Sequence, residues 1–348
     1  MLAFPSIWAV IWLGGAVLGM PRWLRLVPAA LLWVLVFLGH VFLTPPSALH
    51  SVFPESSLSW GVAGGAAALI VLYSDVLAWL RARAKPASAG EAPLFSDAEL
   101  DRYARHIYLR EIGGAGQARL KRAKVLVIGA GGLGAPVLQY LGAAGVGQIG
   151  VIDDDLVENS NLQRQVIHAD ARIGTPKALS AADAMRAQNP FINVTPYVDR
   201  FAGDLARQLV AESDIIFDGS DNFDTRYLAN DLCVAAGKPL VSGALSQWEG
   251  QLSIFDPAHG TPCYACVFPD RPAPELAPSC AAAGVLGPLP GIVGSMMAAE
   301  GVKLITGAGV PLMGKMLIFD AAFGQSRQMV LRPRVGCPVC GGKGLDAT

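Results

Sequence analysis

KVLVIGAGGLGAPVLQYLGAAGVGQIGVIDDDLVENSNLQR, residues Lys124–Arg164, reads as a buried strand over Val125–Ile128, a glycine turn, a helix and a second strand ending on Asp153. The turn holds Gly129, Gly131, Gly132 and Gly134. Glycines let the backbone bend sharply and approach a phosphate closely, and the helix that follows offers free N–H groups and a positive dipole end. Asp153 falls roughly twenty residues past the turn, where such units place an acid for ribose hydroxyls. Taken alone, this describes nucleotide binding, and a dinucleotide-binding unit is the default.

Residues just beyond the second strand point elsewhere. Asn161, Gln163 and Arg164 cluster there, and a nicotinamide enzyme has no need of them. Arg164 is placed to neutralise a triphosphate. Lys177, in the GTPK motif, opens the next helix as a second cation, and Asp221 lies in DGSDN after the apolar strand IIF. A strand-end carboxylate of this kind suits Mg2+, a hard ion that shares one or two carboxylates with phosphate oxygens. Asp155 and Asn222 complete the expected nucleotide contacts.

The motifs GAGGLG, DDDLVENSNLQRQ, GTPK and DGSDNFDTRYLAN, with RYARHIYLREIGGAGQ upstream and CxxC pairs downstream, resemble the MoeB/ThiF/HesA adenylyltransferases, relatives of the ubiquitin-activating enzymes. The resemblance runs from Ser96 to Gly342. It implies adenylation, by ATP with Mg2+, of the C-terminal glycine carboxylate of a small ubiquitin-like sulfur carrier, of the molybdopterin synthase small-subunit or ThiS type. Pyrophosphate would be released, in molybdenum cofactor or thiamin biosynthesis. It further implies a homodimer in which Arg105 reaches a nucleotide phosphate from the partner protomer. Cys280, before the GVLGP segment, would lie in the crossover loop, where some members form a covalent intermediate. No rhodanese segment follows Thr348, so the sulfur donor is expected to be a separate protein such as a cysteine desulfurase or a rhodanese.

Net charge is −1, so no nucleic-acid partner is expected, and the apolar share of 52% is high for a soluble protein. The excess sits at the front, in Leu2–Met20, Leu24–Leu43 and Trp60–Leu80, each near the roughly twenty residues that a helix needs to cross a bilayer. A signal peptide is the rival reading of the first run, but it lacks a basic n-region and two more runs follow. Residues 1–84 are therefore expected to form a membrane domain of three transmembrane helices. Arg22 and Arg25 in the first connection, and Arg81, Arg83 and Lys85 after the third run, place those segments and the catalytic domain in the cytoplasm, with the protein multi-pass in a bacterial inner membrane. Asp75 lies close enough to the cytoplasmic end to reach the interface, and Gly61 and Gly65 form a small-xxx-small pair.

Residues 85–95 are a flexible proline, alanine and serine tether. Ser96-Asp97-Ala98-Glu99 is a capping box that starts a helix bearing Arg102 and Arg105. Past the glycine turn, helices over 178–186, 204–212 and 225–236 alternate with strands over 192–198 and 215–217. Such alternation predicts a Rossmann-like, mostly parallel α/β sheet with helices on both faces, and ligands at the carboxyl ends of its strands. A strand in GQLSIFD and a helix over 292–305 follow.

Cys263 and Cys266 form one CxxC, Cys337 and Cys340 another. Together they favour a structural Zn2+ held by four thiolates, with no position open for chemistry. Cys233 reads as a core residue on an apolar helix. The adenylation domain is thus placed at 96–342, with a tail over 343–348. Two other classes share some of these features. A nicotinamide-dependent oxidoreductase would use the same turn but leaves Arg164, Lys177 and the cysteine pairs without a role. A catalytically silent membrane scaffold for a ubiquitin-like protein leaves the charged nucleotide positions without one.

Overall fold

The structure, a computed structural model, describes residues 22–42, 56–83, 93–271 and 284–341. It divides into two units, Met1–Ala92 and Pro93–Thr348. In the first, α1 (Arg22–Phe42) and α2 (Ser57–Arg83) pack together through aromatic rings. The Trp33 indole Nε1 donates to the Trp60 carbonyl at 3.0 Å, and its ring stacks on Phe37. Gly64 makes room for that indole, since a Cβ there would lie 2.0 Å from the Trp33 ring. Gly61 faces Phe37 while Gly65 has nothing near it, so the small residues at the helix contact are Gly61 and Gly64 rather than the Gly61/Gly65 pair. Among the described residues one helix, Ser57–Leu80, is long and apolar enough to cross a membrane, and the second apolar stretch is the shorter Ala30–Phe42. The Leu2–Met20 run lies outside the described residues.

The second unit begins with α3 (Asp97–Ile107) and α4 (Gly113–Arg122). Ser96 caps α3 as expected: its Oγ accepts from the Glu99 N–H at 3.3 Å and its own N–H donates to Glu99 Oε2 at 2.9 Å. Then follow β1 (Lys124–Ile128), α5 (Gly134–Ala144), β2 (Gln148–Ile152), α6 (Lys177–Gln188), β3 (Asn193–Tyr197), α7 (Gly203–Glu212), β4 (Ile215–Asp218), α8 (Phe223–Ala236), β5 (Leu240–Leu245), β6 (Glu249–Phe255), α9 (Tyr264–Val267), α10 (Pro288–Thr306), β7 (Lys315–Asp320) and β8 (Gln325–Val330).

All strands join one eight-stranded sheet in the order β3-β2-β1-β4-β5-β6-β7-β8. Strands β1 to β5 run parallel, and β6 to β8 extend the sheet antiparallel. Side chains of β1 alternate between two cores: Val125 and Val127 face α5, α6 and α10, whereas Leu126 and Ile128 face α7 and α8. A strand buried on both faces loses the polar alternation of a half-exposed one, which is why KVLVI is apolar almost throughout. Phe217 on β4 is fully buried and fits against Gly301 of α10, where a Cβ would stand 2.3 Å from the ring. Truncating such a side chain typically costs about 3–5 kcal/mol. Helix α10 starts at Pro288, ahead of the expected 292, because prolines are tolerated in a first turn whose N–H groups need no helical partner.

Candidate functional site

Strand order reverses between β1 and β4, whose neighbours β2 and β5 lie on opposite sides. A crevice opens at such a switch point, beyond the carboxyl ends of the strands. Here it is a cleft of about 910 Å3. Gly129, Gly131 and Gly132 line it together with Asp153, Asp155, Arg164, Lys177, Asp221 and Asn222.

The glycine turn leaves β1 at Gly129, whose φ of 89° is open to glycine at little cost. Its N–H donates to the Ile152 carbonyl at 2.9 Å. Gly134 does not line the cleft. It lets α5 close onto the turn, since a Cβ there would sit 1.9 Å from the Gly129 carbonyl oxygen. Asp153 follows β2, and its carboxylate accepts the Ala130 N–H at 2.7 Å and the Asp155 N–H at 2.8 Å. Burial pushes its carboxyl above the ordinary value.

Two cations stand opposite. The Lys177 ammonium, on the first residue of α6, pairs with Asp155 at 2.6 Å; its side chain is 7% exposed. The Arg164 guanidinium donates to the Ser160 carbonyl and to Asn161 Oδ1, both at 3.2 Å. Asn161 thus orients Arg164 rather than lining the cleft. Gln163 is exposed and turns toward Gly287, where a Cβ would lie 2.7 Å from its Oε1. The cleft is lined instead by Gln165, which is buried with Oε1 lacking any partner. Sequence spacing alone does not separate the two glutamines.

Asp221 is exposed, lies in the cleft and forms no ion pair among the described residues, so its oxygens are free for a cation. Asn222 caps α8, its Oδ1 accepting the Thr225 N–H at 2.8 Å. The same motif contains a buried pair that sequence reasoning missed. Asp218, fully buried at the end of β4, accepts from Ser242 Oγ at 2.8 Å and faces Arg226 Nε at 3.6 Å. Arg226 also donates to the Gly243 carbonyl at 3.0 Å and the Ser220 carbonyl at 2.8 Å. These bonds join the ends of β4 and β5 to α8. A charged pair spaced eight residues apart in DGSDNFDTR was the available signal.

The cysteines form a second centre. Cys263 Sγ lies 3.7 Å from both Cys266 Sγ and Cys337 Sγ, and Cys266 Sγ lies 3.4 Å from Cys340 Sγ. All four are buried, and one ligand atom from each falls within 4.8 Å of every other, a compact donor set suited to a tetrahedral soft ion. Tyr264 and Ala265 sit between the first two, and Tyr264 also lines the cleft at the strand ends. Burial pushes its phenol up to about 12. Cys233 is buried on α8 outside this cluster, and burial raises its thiol as befits a core residue. Arg105 is exposed on α3 and does not line the cleft of its own chain. Cys280 lies outside the described residues.

The ThiF family profile matches residues 103–339. A sulfur carrier protein adenylyltransferase of Thermus thermophilus is 51% identical over 70% of this chain and 91% of its own length. A SAMP-activating enzyme E1 of Haloferax volcanii is 49% identical over 72% of this chain and 92% of its own. Mouse adenylyltransferase and sulfurtransferase MOCS3 is 48% identical, with 55% of its length covered. Among solved structures, E. coli MccB shares the fold at a TM-score of 0.62 and 24% identity, covering 71% of this chain and 74% of its own.

Proposed function

Because the chain belongs to the ThiF family, we propose that it is an adenylyltransferase whose substrate is the C-terminal carboxylate of a small ubiquitin-like sulfur carrier protein. One observation carries the reading: four separated motifs, the glycine turn, Asp153 to Arg164, Lys177 and Asp221, converge on one cleft at the β1/β4 switch. The relatives from Thermus and Haloferax, matched over nearly their whole length, support the substrate class.

ATP would lie with its phosphates along the glycine turn and the N-terminus of α5, and its ribose on Asp153. The carrier carboxylate attacks the α-phosphorus, the bond to the β-phosphate breaks, and pyrophosphate leaves with its electron pair. No general base is needed, because the carboxylate is already ionised. Catalysis rests on positioning and charge compensation. Arg164 and Lys177 neutralise the phosphates, Asn161 aims Arg164, and the Asp218–Arg226 pair sets the strand ends from which Asp221 projects. Asp221 would hold Mg2+, which would supply further charge neutralisation. Cys263, Cys266, Cys337 and Cys340 would hold Zn2+ in a structural site without an open position.

Three further parts belong to the same reading. The enzyme is a homodimer in which Arg105 acts on the partner's nucleotide. A separate donor supplies sulfur to the adenylated carrier. The apolar α2 anchors the chain in a bacterial inner membrane with the adenylation unit on the cytoplasmic side, as the exposed apolar surface of Ser57–Leu80 supports.

ATP–pyrophosphate exchange tests the proposal, with the full chain and a Gly-Gly-ended carrier from the same organism. Exchange that requires the carrier and disappears in Asp221→Ala is expected. Measurable ATP binding without exchange, whichever such carrier is supplied, overturns the substrate.

A further inference from the structure

The imidazole of His168 is buried beneath the glycine turn and touches no part of the reaction described above. Its Nε2 lies 2.9 Å from the Ala130 carbonyl oxygen and its Nδ1 2.9 Å from Ser180 Oγ on α6. A carbonyl only accepts, so Nε2 carries the proton. Burial holds the imidazole below its ordinary pKa, and the ring is neutral at physiological pH. Nδ1 is then an acceptor, and the Ser180 hydroxyl donates to it. Ser180 thereby selects the tautomer in which His168 serves the turn.

Ala130 is held on both sides. Its N–H is bonded to Asp153 Oδ2 at 2.7 Å, and its carbonyl is bonded to His168. In a trans peptide the carbonyl of one residue and the N–H of the next point in opposite directions. Drawing the Ala130 carbonyl inward to His168 therefore turns the Gly131 N–H outward. Gly131 lines the cleft, and no acceptor for this N–H is found among the described residues.

We propose that His168 is a positioning residue that presents the Gly131 N–H to a nucleotide phosphate by fixing the Ala130–Gly131 peptide plane, with Ser180 holding its tautomer. The inference rests on the nucleotide-binding half of the proposed function and is independent of which carrier is used. A freely rotating peptide would lose part of a charge-assisted hydrogen bond, worth roughly ten- to a hundredfold in affinity.

Calorimetric titration of the full chain with ATP alone tests it, alongside exchange kinetics and urea unfolding. His168→Leu should weaken ATP binding at least about tenfold and raise the KM for ATP in step, with a smaller change in kcat. His168→Gln, whose amide can donate to the carbonyl and accept from Ser180, should restore most of the affinity. Ser180→Ala should weaken ATP binding about threefold, and it provides the reading if His168→Leu does not fold. Wild-type affinity in a folded His168→Leu or in Ser180→Ala overturns the inference, as does a Gln variant no better than Leu. A wild-type chain that binds ATP but exchanges with no carrier defeats the substrate reading and leaves this inference standing. Failure of the wild type to bind ATP defeats both.

Discussion

Asn230 Oδ1 accepts the backbone N–H of Tyr264 at 2.8 Å, and both residues are buried. The bond ties α8, which begins at the Asn222 cap beside Asp221, to the turn between the first two cysteines. Tyr264 then lies against Tyr227, Phe255 and Phe268 and reaches the cleft wall. The cysteine centre and the nucleotide cleft therefore share one wall. Replacing Asn230 by Ala leaves a buried N–H without a partner. A loss of about 2 kcal/mol in urea unfolding is expected, with weaker carrier-dependent exchange and unchanged metal content.

Metal removal should act through the same wall. The proposed Zn2+ would have all four tetrahedral positions filled by thiolates, so Co2+ in its place is expected to preserve exchange activity and to give the absorption bands of tetrahedral thiolate coordination. Removing the ion altogether by chelation, or Cys337→Ser, should lower the melting temperature and the affinity for ATP together, because Tyr264 loses its support. Metal analysis beside a thermal melt checks this; full activity in a metal-free chain would refute it.

Acidification should have opposite effects on stability and on ATP binding through Asp153. Its folded pKa is raised above the unfolded value by burial. Its contribution to stability is therefore fully present below the unfolded pKa and is lost as pH rises through the folded one. With the ribose on Asp153 as proposed, its hydroxyls would donate to the ionised carboxylate; protonation would turn one acceptor oxygen into a donor, and ATP affinity should fall as pH drops through that raised value. Titrations carried down from neutral pH should show the decline in the wild type and not in Asp153→Asn.

Strand and helix order from Lys124 to Ala236 was legible because short apolar runs and proline and glycine punctuation act over a few residues, as does the Ser96 cap for α3. The convergence of Asp153, Lys177 and Asp221 was legible for a related reason: each follows a strand or opens a helix at the same edge of a parallel sheet. Asp218 and Arg226 were not. Both are charged residues whose burial depends on partners in β5 and α8 that no local pattern announces. Gln163 and Gln165 differ by two positions in an irregular segment, where no repeat decides which one turns inward.

Gly134 separates space from conformation as the reason for a glycine. Its backbone is helical, the first residue of α5, so alanine is conformationally acceptable there. Yet the added methyl would stand 1.9 Å from the Gly129 carbonyl oxygen and 2.8 Å from its carbon. Backbone cannot swing aside as a flexible side chain does, so α5 must move away from the turn. Gly134→Ala is expected to cost about 2–4 kcal/mol in thermal or urea unfolding. ATP binding should fall further than stability does, because the N–H groups of Gly131 and Gly132 shift relative to Arg164 and Lys177. Gly131→Ala is the internal control: its Cβ would meet only Gln165 Nε2, at 3.6 Å. Stability should then hold, leaving any loss of ATP affinity to the cleft itself. Equal unfolding midpoints for the two variants would show that α5 does not need this close approach.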